Sequence, residues 1–403
     1  MAEQKKLMLL GGLRYLLPVI KAAHELGLYV ITVDYIPDNI AHKYSDEYHN
    51  VSIIDKDAVL ELAQKLQIDG IMSFAVDPGV VCAAYVANKM GLPSPPLESV
   101  EILQNKAKFR HFLEANGFNV PKSRGYKSGD KSQALRDVDY FTWPVIVKPV
   151  DSAGSKGVKR VDTSQDLDKA IDNAIVNSIT GSFIIEDFIE KDGYSTDTDS
   201  FSVDSELKFF SLNNQYFDVR AKNPYTPSAY SWPSDMPQKY QEELTNEIQR
   251  LIKLLNMGTS VYNIETRVGK DGKTYIMEMS PRGGGNRLCE MLHYATGVDL
   301  IKNAVKAAVG ITDFHVSQLP YNGNWAEVIL HSDKSGVFQE LEIAKDVEPY
   351  VVEYDLWVKR GYNIEEFNGA NDAIGTLVLN FDSKEKLKEK MMDYFKWLKI
   401  RIK

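Results

Sequence analysis

The run VYNIETRVGKDGKTYIMEMSPRGGGNR, residues 261–287, carries the reading of the fold. Val261–Val268 and Lys273–Ser280 have the aromatic, β-branched and alternating character of strands. Gly269-Lys270-Asp271-Gly272 between them is turn chemistry. A hairpin symmetric about that turn sets Glu265 opposite Ile276 and Asn263 opposite Glu278. With alternate side chains on opposite faces, Asn263, Glu265, Glu278 and Ser280 share one face, and Tyr262, Ile264, Tyr275, Met277 and Met279 share the other. The second is a core face. The first puts two carboxylates on a diagonal, where they repel unless a cation lies between them. Two carboxylates with neutral oxygens suit a hard cation such as Mg2+ on a nucleotide. The competing reading is a solvated outer face. Arg282 follows at once, placed for a transferring phosphoryl group or an acyl phosphate. Gly283-Gly284-Gly285 allow close backbone approach to a ligand.

Working upstream, Trp143–Val147 reads as a buried strand ending in Lys148. A lysine closing such a strand is costly unless it meets an anion. The loop after it holds Ser152, Ala153, Gly154, Ser155, Lys156 and Gly157. Small residues let backbone N–H groups approach phosphate oxygens, and hydroxyls add donors. The lysine precedes the glycines, so this is not a Walker A loop. The plain alternative is a flexible hairpin loop. Asn105-Lys106 opens a helix, and Lys106 alone reads as a surface residue. Phe183–Ile185 is a strand leading into Glu186-Asp187-Phe188-Ile189, whose extended backbone could meet an adenine edge. Between these, Tyr216–Pro237 carries Arg220, Lys222, Tyr225, Tyr230 and Trp232 among four prolines. It reads as a long ordered loop, lining an acceptor pocket or serving as a structural excursion.

Residues 1–96 alternate short apolar strands (Leu7–Leu10, Tyr29–Val33, Gly70–Ala75) with helical patterns, which predicts βαβ units and a parallel sheet. Gly11, Asp34 and Asp77 fall at strand carboxyl ends, where ligands of such sheets bind. Gly11-Gly12 reads as a tight turn; GGLRYL lacks the G-x-G-x-x-G of dinucleotide sites. Pro93-Ser94-Pro95-Pro96 marks a boundary. Residues 311–403 read as short strands and a terminal helix, with Ser383 as N-cap and Leu387, Met391, Phe395, Leu398 and Ile402 on one face.

Composition narrows the class. The chain has 403 residues, 47 basic against 56 acidic, for a net charge of −9. That balance gives no global reason to bind nucleic acid or an anionic membrane. No apolar run reaches membrane-spanning length. Met1–Lys6 leads straight into a strand without a signal-peptide pattern. Two distant cysteines, Cys82 and Cys289, exclude a disulfide framework and a Cys-rich zinc site, and a reduced cytoplasm is the expected location.

In this order, the pieces resemble the ATP-grasp superfamily, in the branch of carbamoyl phosphate synthetase, biotin carboxylase and glycinamide ribonucleotide synthetase. The resemblance implies an α/β and α+β chain in three parts. A Rossmann-like pre-ATP-grasp domain spans 1–96, the ATP-grasp fold 97–310 (lid about 121–190), and a small α+β domain 311–403. It implies ATP with Mg2+, or Mn2+ in its place. Lys106 and Lys148 would contact phosphates, with Ser152, Gly154, Ser155, Lys156 and Gly157 in the mobile lid. Glu186, Asp187, Phe188 and Ile189 would form the adenine hinge, and Asp192 is the nearest acid for the ribose. Glu265 and Glu278 match the two metal-binding glutamates, and Arg282 and Lys148 the charges that stabilise the transition state. Ser280 stands where the family often has Asn. Gly12, Asp77, Arg220, Lys222, Gly284 and Arg287 are acceptor-site candidates. The implied activity is ligation of a small carboxylate and an amine through an acyl phosphate, as in glycinamide ribonucleotide synthetase. Alternatives are an amino-acid or dipeptide ligase, a carbamoyl phosphate synthetase-like enzyme, and a non-catalytic ATP-binding regulatory or assembly module. A homodimer is common in this family.

Overall fold

A computed structural model describes residues 4–152 and 154–403; Met1–Glu3 and Ala153 of the small-residue loop lie outside it. The strand Lys6–Leu10, fully buried from Leu7 onward, sits inside a parallel sheet ordered Glu47–His49, Tyr29–Val33, Lys6–Leu10, Gly70–Ser73. Parallel strands buried on both faces read as continuous apolar runs, which is why they are visible in the sequence. Glu47–His49 is three residues of mixed character and gives no such signal. Gly11 has φ +114°, and a Cβ there would lie 2.9 Å from Val76. Gly12 packs so closely on His42 and Asn39 that a Cβ would come within 2.6 Å of each. The pair therefore makes a tight turn, and Gly12 is buried under its own unit instead of facing an acceptor.

Residues 123–187 build a separate antiparallel sheet, ordered Ser123–Lys127, Ser182–Asp187, Val145–Pro149, Lys159–Val161. Helix Leu167–Val176 covers it through Leu167, Ala170 and Ile171, against Val145, Val147 and Phe183.

The hairpin lies in a third sheet, ordered Glu206–Phe210, Lys191–Val203, Ser260–Gly269, Thr274–Ser280. Its register differs from the symmetric expectation. Gly269 N–H bonds the carbonyl of Lys273, so the turn is three residues, with Gly272 at φ +74°. A bulge at Met277 then adds one residue, so Thr266 pairs with Ile276 but Glu265 pairs directly with Glu278, and Asn263 with Ser280. The two glutamates are cross-strand partners and not diagonal neighbours. The bulge also flips the lower strand: Ile276, not Tyr275 or Met277, joins Tyr262, Ile264, Val268 and Met279 in the core. That core is closed by the amphipathic helix Gln238–Leu254 through Leu244, Ile248 and Leu251.

Residues 311–403 share their main sheet with the chain upstream. Its order is Asn214–Phe217, Pro227–Trp232, Asn324–Leu330, Gly375–Phe381, Val351–Leu356. The Tyr216–Pro237 excursion thus contributes two strands to a sheet around a loop, with Tyr230 and Trp232 fully buried. The terminal helix stops at Met392, and Leu398–Ile402 is a strand paired with Gly336–Ile343. LKIRI alternates with period two, and the break falls at Asp393, whose φ is −135°. Tyr394 and Trp397 fill the core where Phe395 was expected. Ser383 does cap the helix, accepting from Lys386 N–H at 3.1 Å. Ser383→Ala should cost about 1 kcal/mol, read as a lower urea midpoint for the C-terminal strands and helix. Among the described residues no helix is long and apolar enough to cross a membrane.

Candidate active site

Three sheets meet around the hairpin's polar face. On the lid side, Lys148 ends its strand with Nζ 2.8 Å from Glu186. Glu186 is 1% exposed and also meets Arg110 Nε at 2.8 Å. Burial alone would raise the Glu186 pKa, but Arg110 and then Lys148 outweigh it and hold the group near 2. The Glu186 side chain therefore fixes Lys148, and the backbone after it is partly engaged: Asp187 N–H donates to the Lys122 carbonyl at 2.8 Å and Phe188 N–H to the Pro144 carbonyl at 2.9 Å. Asp187 accepts from Thr142 N–H at 2.9 Å, a structural contact. Phe188 lies under Arg160, 4.6 Å from ring centre to guanidinium, with Tyr225 edge-on. The Ile189 carbonyl accepts from Arg267 at 3.1 Å. Asp192 is exposed.

Lys106 is the first residue of helix Lys106–Ala115, which Asn105 caps. Its Nζ donates to the Ser152 carbonyl at 3.0 Å and lies 3.2 Å from Glu278. Burial opposes its charge, but Glu278 and Asp77 outweigh that and hold its pKa above the usual range. The lysine is thus drawn off the surface to the foot of the small-residue loop. In that loop Gly154, Ser155 and Gly157 have positive φ. Ser155 Oγ donates to the Tyr225 carbonyl at 3.3 Å, and Lys156 is exposed.

Glu265 and Glu278 face one another across the strands. Burial first, and Glu278 second, push the Glu265 pKa up to about 7. A buried carboxylate so raised, with a second one facing it, is short of a cation. Among the described residues no group of three or more His, Cys, Asp or Glu side chains could hold a metal ion. A pair suits a cation that brings further oxygens with it, as nucleotide-bound Mg2+ does.

Ser280 is not turned toward that cation position. Its hydroxyl accepts from Gln104 at 2.7 Å and donates to Asp77 at 3.1 Å. Arg282 grips Asp77 through Nε at 2.8 Å and Nη2 at 2.6 Å, and donates to Asn263 at 3.2 Å. Asp77, at the first turn of helix Asp77–Met90, thereby joins the parallel unit to the hairpin.

The remaining acceptor candidates divide. Gly283 and Gly284 are packing glycines: Cβ atoms there would lie 2.2 Å from Phe74 and 2.7 Å from Leu288. No ligand approach is needed to explain them. Gly284 N–H donates to both oxygens of Asp199, at 2.9 and 3.0 Å. Arg287 pairs with Glu290 and Glu353. Arg220 is spent on Asp218, at 2.8 and 2.6 Å, and stacks on Phe395, while Lys222 points to solvent as an exposed residue.

Sequence reasoning missed Asp197 and Asp199, which register places beside Glu265 and Asn263 on the same face. Burial raises both to about 6. Asp197 accepts from Tyr230 Oη at 2.9 Å and Asn263 at 2.7 Å. The spacing D-T-D in STDTDSFSV was the available signal; it resembles any exposed polar strand.

Residues 141–290 match a family described as the ATP-grasp domain. The carbamoyl phosphate synthase large chain of Thermotoga petrophila is 27% identical over 290 residues, 71% of this chain and 26% of that protein. The chain thus spans about a quarter of the length of such curated relatives. Among solved structures, the L-amino acid ligase from Bacillus licheniformis superposes with a TM-score of 0.80 at 20% identity. Phosphoribosylglycinamide synthetase from Anaerococcus prevotii does so with 0.74 at 23%. Both alignments cover 100% of each chain and speak to the fold. Residues 141–290, which hold the lysine-closed strand, the small-residue loop and the facing glutamates, are an ATP-grasp domain.

Proposed function

We propose that the protein is an ADP-forming carboxylate–amine ligase using Mg-ATP, with a cytoplasmic, small-metabolite role and units at 1–96, 97–310 and 311–403, the last two joined through their shared five-stranded sheet. The observation that carries this is the facing pair Glu265 and Glu278 with Lys106 3.2 Å from one of them. Glu265 and Glu278 would hold the metal, which neutralises charge on the phosphates when bound. Lys148, oriented by Glu186, and Lys106 would meet phosphate oxygens. In the reaction a substrate carboxylate oxygen attacks the γ-phosphorus, the bond to the β-bridging oxygen breaks, and ADP leaves. An amine nitrogen then attacks the acyl carbon, the C–O bond to phosphate breaks, and the nitrogen loses a proton. Arg282, held by Asp77 and Asn263, supplies positive charge beside the reacting groups.

An amino-acid or dipeptide ligase fits better than a phosphoribosylamine ligase. The basic pair that would grip a second phosphate is not available, since Arg220 is consumed by Asp218. A screen of ADP release across pairs of amino acids, other carboxylates and amines tests the reading. Substrate-dependent release is expected. Tight ATP binding without release in any mixture would favour a non-catalytic nucleotide-binding module, and release with bicarbonate and ammonia a carbamoyl phosphate synthetase-like enzyme.

A further inference from the structure

The third sheet's polar face continues into the five-stranded one. Tyr230, bonded to Asp197, is the cross-strand partner of Glu327, which pairs in turn with Val378, and Val378 with Glu353. Tyr230, Glu327 and Glu353 thus form one row, starting beside Glu265 and running away from it. Glu327 is 0% exposed, and neither carboxylate oxygen has a hydrogen-bond partner. A buried acceptor left without a donor is costly, and the fold elsewhere pairs its buried acids, as at Glu186 and Asp199. Above the row, Arg287 is shared by Glu290 and Glu353 and forms no hydrogen bond with Glu327. One guanidinium therefore serves a neighbourhood of three carboxylates. Such a neighbourhood repels phosphate and attracts a cation with hydrogen-bond donors.

We propose that Glu327 receives the α-amino group of the substrate whose carboxylate takes the phosphoryl group, and that this substrate is an unphosphorylated amino acid. The inference rests on the ligase reading for the identity of the site and adds the residue that reads the substrate's amino group. Asn286, which bonds the tyrosine that starts the row, is half-buried and held by long side-chain bonds: Tyr15 Oη donates to it at 3.2 Å, and it donates to Tyr230 Oη at 3.4 Å. An ammonium group here would supply three donors to an acid that has none. Burial raises the Glu327 pKa well above the carboxylate range, and a cationic partner is what would restore its charge.

Calorimetry on the full chain with Mg2+ and a non-hydrolysable ATP analogue tests this, titrating each common L-amino acid and its 2-hydroxy acid counterpart. At least one amino acid is expected to bind, with the 2-hydroxy acid weaker by about tenfold or more. Glu327→Gln should weaken the amino acid by a similar factor while leaving the nucleotide affinity within about twofold. Both Glu327→Gln and Glu327→Leu should keep or raise the thermal midpoint, because the native carboxyl is unsatisfied. The proposal is overturned if no amino acid binds, if Glu327→Gln binds as wild type does, or if both variants lose the fold. Glu327-dependent binding without ADP release would uphold this site and remove the ligase reading. Amino-acid-dependent ADP release that ignores Glu327→Gln would do the reverse.

Discussion

Glu278→Ala should lower turnover by about 10^3-fold, roughly 4 kcal/mol of transition-state stabilisation, without weakening the fold. The two halves of that expectation come from one geometry. Glu265 and Glu278 are direct cross-strand partners, and like charges so placed destabilise a sheet. Removing Glu278 relieves that repulsion, so the thermal midpoint should hold or rise slightly. Lys106 loses its carboxylate but keeps the Ser152 carbonyl at 3.0 Å. The cation position, in contrast, loses one of its two protein anions. ADP release under saturating substrates and a thermal melt read the two quantities separately. Turnover at the wild-type rate would remove the metal role of the pair. A collapse of the melt together with turnover would show Glu278 to be structural instead.

The direct facing of those residues was beyond reach of the sequence, for a physical reason. Strand character and turn chemistry in residues 261–280 were plain, because alternation and Gly-rich punctuation are local properties. Register is not local. It depended on a three-residue turn and on the bulge at Met277, and each moved the pairing by one residue. The parallel unit was readable because its strands are buried on both faces and hence uniformly apolar. The C-terminal strand Leu398–Ile402 was misread because apolar residues at 398 and 402 also fit a helical spacing. Asp77 and Arg282 were each noticed singly, yet their partnership spans 205 positions. Asp197 and Asp199 give only the D-T-D spacing, and Glu327 gives no signal in one sequence. An acid in an alternating strand reads as solvent-facing until the neighbouring sheet that covers it is known.

Glu186→Gln should cost about 3 kcal/mol at neutral pH and abolish tight nucleotide binding. The carboxylate is the shared counter-charge of Arg110 and Lys148, each 2.8 Å away. Removing one partner of a buried ion pair typically costs about 3–5 kcal/mol, because the remaining charges stay out of water. The acid titration gives an independent figure. The folded pKa is near 2 against an ordinary 4.5. That difference of about 2.5 units corresponds to about 3 kcal/mol at 1.36 kcal/mol per unit. Because the folded value is depressed, this stability is fully present above pH 4.5 and is lost as pH falls toward 2. Urea unfolding of wild type and Glu186→Gln at pH 7 and near pH 3 should therefore show a gap that narrows in acid. A gap of the same size at both pH values would mean that packing, and not charge, is what Glu186 provides. Adding Arg110→Met to Glu186→Gln should recover part of the lost stability, since one stranded charge is gone. Nucleotide affinity should not return with it, because Lys148 would still lack the carboxylate that aims it.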